Sequence, residues 1–129
     1  MADVTIKRVE DFEAIFGGGM RKARAGLGVT SFGMQVLQFP PNADRYPEHD
    51  HQDGQEEVYV VLEGAATLRA GGEEHWLEPG VFARVGPGET RMIVTGEEGA
   101  RILALGGIPG KPYEIVGFTE EGAPDPAAG

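Results

Sequence analysis

From Val29 onward the chain is a run of short apolar segments broken at turn residues. VTSFGMQVLQF gives way to PPNAD, EEVYVVLE to Gly64, ATLRA to Gly71-Gly72, EHWLE to Pro79-Gly80, VFARV to Gly86-Pro87-Gly88, RMIVT to GEEG, and ARILAL to a Gly pair. Gly and Pro interrupt extended backbone where it must turn, so strands at this regular spacing predict an all-β sandwich or closed barrel. After Arg24 no window carries a long 3.6-residue apolar period, and little helix is expected.

Residues 1–28 have a different texture. Val4 to Ile6 is a strand candidate and Asp11 to Phe16 a helical-turn candidate; a GGG run then leads into Arg21, Lys22 and Arg24, which read as a solvated surface patch. The chain divides into an N-terminal arm (1–28), a barrel (29–117) and an acidic tail (118–129), a single domain overall. The Gly, Pro and Ala of the tail predict flexibility. The apolar segment IPGKPYEIVGF before it, with the strand-like VTI near the start, can pack on a neighbouring copy, and a homodimer is expected.

Composition narrows the partners. A chain of 129 residues supports one core, and 40% hydrophobic with 25% charged residues marks it as folded. A formal net charge of -10 repels phosphate backbones and anionic lipid, which removes nucleic acid and membrane surfaces as general partners. With no cysteine, disulfides, thiolate metal sites and cysteine nucleophiles are excluded, so pocket chemistry rests on nitrogen and oxygen. No stretch approaches the roughly 20 apolar residues of a membrane span, and a cytoplasmic location is the expectation.

The chemistry concentrates around His49-Asp50-His51. Residues i and i+2 of a strand project from one face, so both imidazoles can meet one point. Glu56-Glu57 opens the next apolar strand and delivers a carboxylate to the same place. Two imidazoles, a carboxylate and open positions suit one divalent transition metal, Fe(II) above all but also Mn, Ni, Cu or Zn. The same residues also fit two surface histidines beside an acidic loop.

PEHDHQDGQEEVYVVLEG resembles the first motif of the cupin superfamily, in which an HxH pair precedes a Glu and a later Gly. Register from Gly64 places the family's glutamate on Glu57, with Glu56 as the alternative because the loop is one residue longer than the usual pattern. GVFARVGPGETRMIVT resembles the second motif, with Gly80 and Gly88 in its glycine positions and Arg91 where the metal-binding histidine stands. Arg cannot ligate a metal, since its guanidinium stays protonated. The resemblance, over about Phe32 to Leu105, implies a double-stranded β-helix, or jelly-roll barrel, often dimeric, with metal ligands His49, His51 and Glu57. Arg91 then either pairs internally with Glu57 or Glu56, anchors a small acid, or reaches past the pocket to solvent.

Tyr59 and Gln35 are further candidates for contact with a small-molecule ligand, Gln35 sharing that role with Met34 on the strand before the HxH segment; Tyr46 is another hydroxyl of this kind. His75 reads as structural or exposed and Trp76 as core or subunit interface. The leading functional reading is a metal-dependent cupin acting on a small polar or acidic metabolite, as dioxygenase, isomerase or decarboxylase. A non-catalytic ligand-binding module and a metal-free site using His49 or His51 as general base are the alternatives.

Overall fold

The computed structural model describes residues 2–44 and 54–127. Its spine is the antiparallel pairing of two long strands, β4 (Glu56–Ala70) and β7 (Arg91–Gly107). β3 (Gly33–Phe39) lines the other edge of β7, while β6 (Phe82–Val85) pairs with the first half of β4 and β5 (Glu73–Leu77) with the second. Two short strands of the arm, β1 (Ala14–Ile15) and β2 (Met20–Arg21), extend the sheet in the order β1-β2-β3-β7-β4-β5. The turn spacing predicts an all-β sandwich or closed barrel and the motif resemblance implies a jelly roll; an all-β jelly-roll barrel is the observed architecture.

Two pairs of predicted strands are each continuous. EEVYVVLE and ATLRA join through Gly64 into β4, and RMIVT and ARILAL join through GEEG into β7. Register shifts between Val61 and Glu63 and between Gly64 and Ala66 are bulges that curve the pair without ending it. Gly64 (φ 75°) and Gly99 (φ 65°) sit against each other at this bend. A Cβ on Gly64 would collide with the Gly99 carbonyl oxygen, and one on Gly99 would come within 2.6 Å of the Phe39 carbonyl oxygen. Only glycine lets three strands meet so closely here.

Strand alternation divides the side chains between two cores. Leu37, Tyr59, Val61, Ala66, Leu68, Leu77, Val85, Ile93, Ala100, Ile102 and Ala104 fill the barrel. Val36, on the opposite face of β3, packs outside it with Phe12 and Ala23, joined by Met34 and Leu103. The arm thus covers the outer face of β3 and β7.

Several expectations for the chain ends change. Val4 and Ile6 form no strand and are 68% and 88% exposed, having no paired edge to bury them. The helical turn expected at Asp11 to Phe16 is replaced by a 3-10 turn at Val9–Asp11, by β1 and by a second 3-10 turn at Phe16–Gly18; the helix comes later, at α1 (Ala23–Leu27). The basic stretch is no solvated patch: Lys22 and Arg24 are buried. Lys22 Nζ meets Glu13 Oε1 at 2.6 Å and donates to the carbonyls of Glu120 and Ala123, while Arg24 donates to the Val29 carbonyl. These partners compensate the desolvation that makes a bare buried cation costly.

The tail, expected to be flexible, folds back on the same residues. Gly122 N–H donates to Glu13 Oε2, Phe16 N–H donates to Asp125, and the rings of Phe16 and Phe118 meet edge to face at 5.8 Å. Composition gave no sign of this because the contacts depend on backbone groups and on a lysine 98 residues away.

Candidate functional site

The pairing registers lay out the barrel's inner face in rows. Gly106 of β7 stands opposite Gly33 of β3 on one side and Glu57 of β4 on the other, and Glu57 opposes Val85 of β6. The next row runs Gln35, Ala104, Tyr59, Ala83. Beyond it, Ile102 and Val61 close the floor with apolar side chains.

This layout separates the two candidate glutamates. Glu57 shares its face with Tyr59 and Val61, which are barrel core. Glu56 points outward and pairs with Arg84 at 2.9 Å among exposed side chains. The same parity sorts Gln35 from Met34: Gln35 shares the inward face with Leu37, and Met34 packs against the arm.

Arg91 opens β7 and its side chain is fully buried. It lies against Glu57: the guanidinium Nη2 donates to Glu57 Oε1, which also accepts the Tyr59 hydroxyl proton. Nε donates to the Tyr59 oxygen at 3.3 Å and Nη1 to the Glu89 carbonyl at 2.9 Å. Burial alone would lower the Arg91 pKa, but the hydrogen bonds to Glu57 and Tyr59 outweigh it and hold the pKa above the ordinary arginine value, so the cation is fixed. Of the three places open to Arg91, the internal ion pair with Glu57 is the one occupied. Charge complementarity explains it, because a buried guanidinium needs an anion and Glu57 is the inward-facing carboxylate beside it.

His49, His51 and Tyr46 lie outside the described residues. His75 is half-exposed, with Nε2 3.5 Å from a Glu73 carboxylate oxygen. It borders an open groove of about 780 Å³ on the β5–β6 side, lined by neither Glu57, Tyr59 nor Arg91. Trp76 is not core: it is 60% exposed on the outer face of β5. Two small residues of β7 that the motifs do not single out shape the inner face: Ala104 keeps it low, and Gly106 makes room for the Gln55 side chain. ARILALGG carries the signal, since Ala100, Ala104 and Gly106 share the parity of the core residue Ile102.

The cupin domain model matches residues 35–106, more than half of the chain. The chain belongs to the cupin family. Among solved structures, this cupin is similar to a cupin protein from Bacteroides fragilis, with a TM-score of 0.67 and 19% identity over 90% of this chain and 93% of that one. A cupin-superfamily sugar phosphate isomerase from Silicibacter pomeroyi gives a TM-score of 0.67 and 22% identity over 79% and 74%. KdgF from a Halomonas species gives 0.62 and 16% over 82% and 93%. No curated protein matches the chain. At these identities the likeness establishes the fold alone.

The cupin fold raises the question of a metal, and of the three residues the motif resemblance assigns to one, only Glu57 is among the described residues. Arg91 stands where a further ligand would, and its fixed positive charge already occupies Glu57. A divalent ion on that carboxylate would sit beside a guanidinium that cannot discharge. The described residues alone bring no group of three His, Asp or Glu side chains together that could hold an ion.

Proposed function

We propose that this cupin binds a small polar metabolite inside the barrel without a resident metal ion. Glu57, Arg91 and Tyr59 form a fixed polar wall, and the sequence adds two imidazoles, His49 and His51, shortly before β4. The observation that supports this reading is the fully buried Arg91 guanidinium bound to Glu57, a permanent positive charge at the sequence position where the family's second motif has a metal-binding histidine. The similarity to a sugar phosphate isomerase is consistent with a small polar ligand. With a ligand seated, a neutral imidazole is suited to take a proton from it, so acid–base turnover fits the same pocket.

The metal-dependent reading, with His49, His51 and Glu57 holding Fe, Mn, Ni, Cu or Zn, rests on the His-x-His spacing in the sequence. It requires Glu57 to hold the ion through its second carboxylate oxygen beside the Arg91 guanidinium, or Arg91 to leave Glu57. Titrating small polar metabolites into protein kept in excess EDTA separates the two readings: saturable binding supports the pocket as described, and binding that appears only with added metal overturns it.

A further inference from the structure

The Gln35 side chain has a use that neither the ion pair nor the fold supplies. Its Oε1 is buried and makes no hydrogen bond, one of three such side-chain atoms among the described residues. The other two, Arg21 Nε and Arg24 Nε, belong to guanidiniums of the arm whose Nη1 atoms are bonded. A buried polar group without a partner costs stability, so an unmet amide on the inner face of a binding barrel points to a partner that comes and goes.

The register shows where that partner lies. Gln35 stands beside Ala104, and Ala104 beside Tyr59. Adjacent strands run about 4.8 Å apart, so Gln35 and Tyr59 are separated by roughly 10 Å with only a methyl group between them. The neighbouring position toward Glu57 is Gly106, where the Gln55 side chain fills the room a side chain would take, its Oε1 3.0 Å from the place of a Cβ. Ala104 thus leaves the inner face low between the Gln35 amide on one bank and the Glu57–Tyr59–Arg91 cluster on the other.

The charge of the far bank selects the chemistry. Arg91 is fully buried and holds Glu57, Tyr59 and the Glu89 carbonyl, so that bank presents a compensated pair and no cation open to an acid. An amide takes a hydroxyl through either of its atoms, because a hydroxyl both donates and accepts. We infer that Gln35 and Ala104 form a subsite for a neutral hydroxyl group of a polyhydroxylated ligand, a sugar or polyol, rather than for a carboxylate. This rests on the reading of the barrel as a metal-independent pocket and names the class of ligand it takes.

The test uses the full chain in EDTA, with D-glucose and myo-inositol as polyol probes and succinate as the acid probe, followed by amide chemical shifts and by titration. A polyol is expected to shift the Ala104 and Gly106 amides and the Gln35 side-chain amide. Gln35→Leu is expected to weaken it at least about tenfold, the scale of one hydrogen bond to a buried group. The same variant is expected to keep or raise Tm, because it removes an unmet polar atom, whereas a Gln35 with a purely structural role would lose Tm. Succinate perturbing these amides while both polyols leave them unmoved would overturn the subsite and leave the pocket standing. Polyol binding unchanged in Gln35→Leu, or silence from every probe at these amides, would also overturn it. Polyol binding seen only when metal replaces EDTA would instead bring down the metal-independent reading.

Discussion

At the residue scale the Glu57–Arg91 pair is lopsided, with the cation fully buried and the carboxylate 16% exposed. Removing each partner should therefore have different consequences. Glu57→Gln strands a guanidinium in the barrel and is expected to cost about 3–5 kcal/mol, the range for breaking a buried pair. Arg91→Met leaves a carboxylate with some access to solvent and a hydroxyl partner in Tyr59, and should cost less, about 1–3 kcal/mol. Denaturant unfolding of the two variants checks the order; equal losses would mean that the pair is hydrated like a surface bridge. Legibility in the sequence was uneven here. Register from Gly64 singled out Glu57 as the family's glutamate but parity could not choose its face, because both faces of that strand are apolar; Arg91 was visible as an inward cation needing an anion. Which anion it takes was not legible, because a protein carboxylate and a ligand carboxylate satisfy a guanidinium equally well until side chains are placed.

At the element scale the strands were legible from their apolar runs, and the continuity of β4 and β7 was not. Gly64 and GEEG read as breaks, since glycine ends strands more often than it bends them. Three-strand crowding at the bend is a long-range fact that periodicity does not carry. Gly64→Ala is accordingly expected to destabilise by about 2 kcal/mol or more, from the positive φ together with the clash against Gly99. A thermal melt within a degree of the parent would show that the bend relaxes freely. The arm was misread for a related reason. Lys22 and Arg24 have the composition of a surface patch, yet their partners are main-chain carbonyls and a distant glutamate.

At the scale of the whole molecule, that glutamate ties the two chain ends together. Hydrogen bonds from Lys22 and from the Gly122 amide hold the Glu13 carboxyl below its ordinary pKa. A depressed carboxyl stabilises the fold fully above the ordinary glutamate value, about 4.3, and the contribution disappears as pH falls through the lowered folded value. Hydrogen exchange should find the Gly122 amide protected at neutral pH and released in acid before the barrel amides of β4 and β7 open. Simultaneous loss would make the tail part of one cooperative unit with the barrel. The outer face of the sheet adds a second expectation. Phe82 is 73% and Trp76 60% exposed, and apolar side chains of this size left in solvent favour association. A homodimer covering them should appear by light scattering at micromolar concentration, and a monomer mass would rule it out.

On the proposed function, Arg91 as a fixed guanidinium on Glu57 supplies the positive charge that a metal would bring. Elemental analysis after equilibration with Fe, Mn, Ni, Cu and Zn tests it most directly, on untagged parent and Arg91→Met side by side. The parent is expected to stay far below one ion per chain, and Arg91→Met, with Glu57 released, to take up markedly more. A parent that loads stoichiometrically, and loses the ion when His49 and His51 are both changed to Ala, would contradict it.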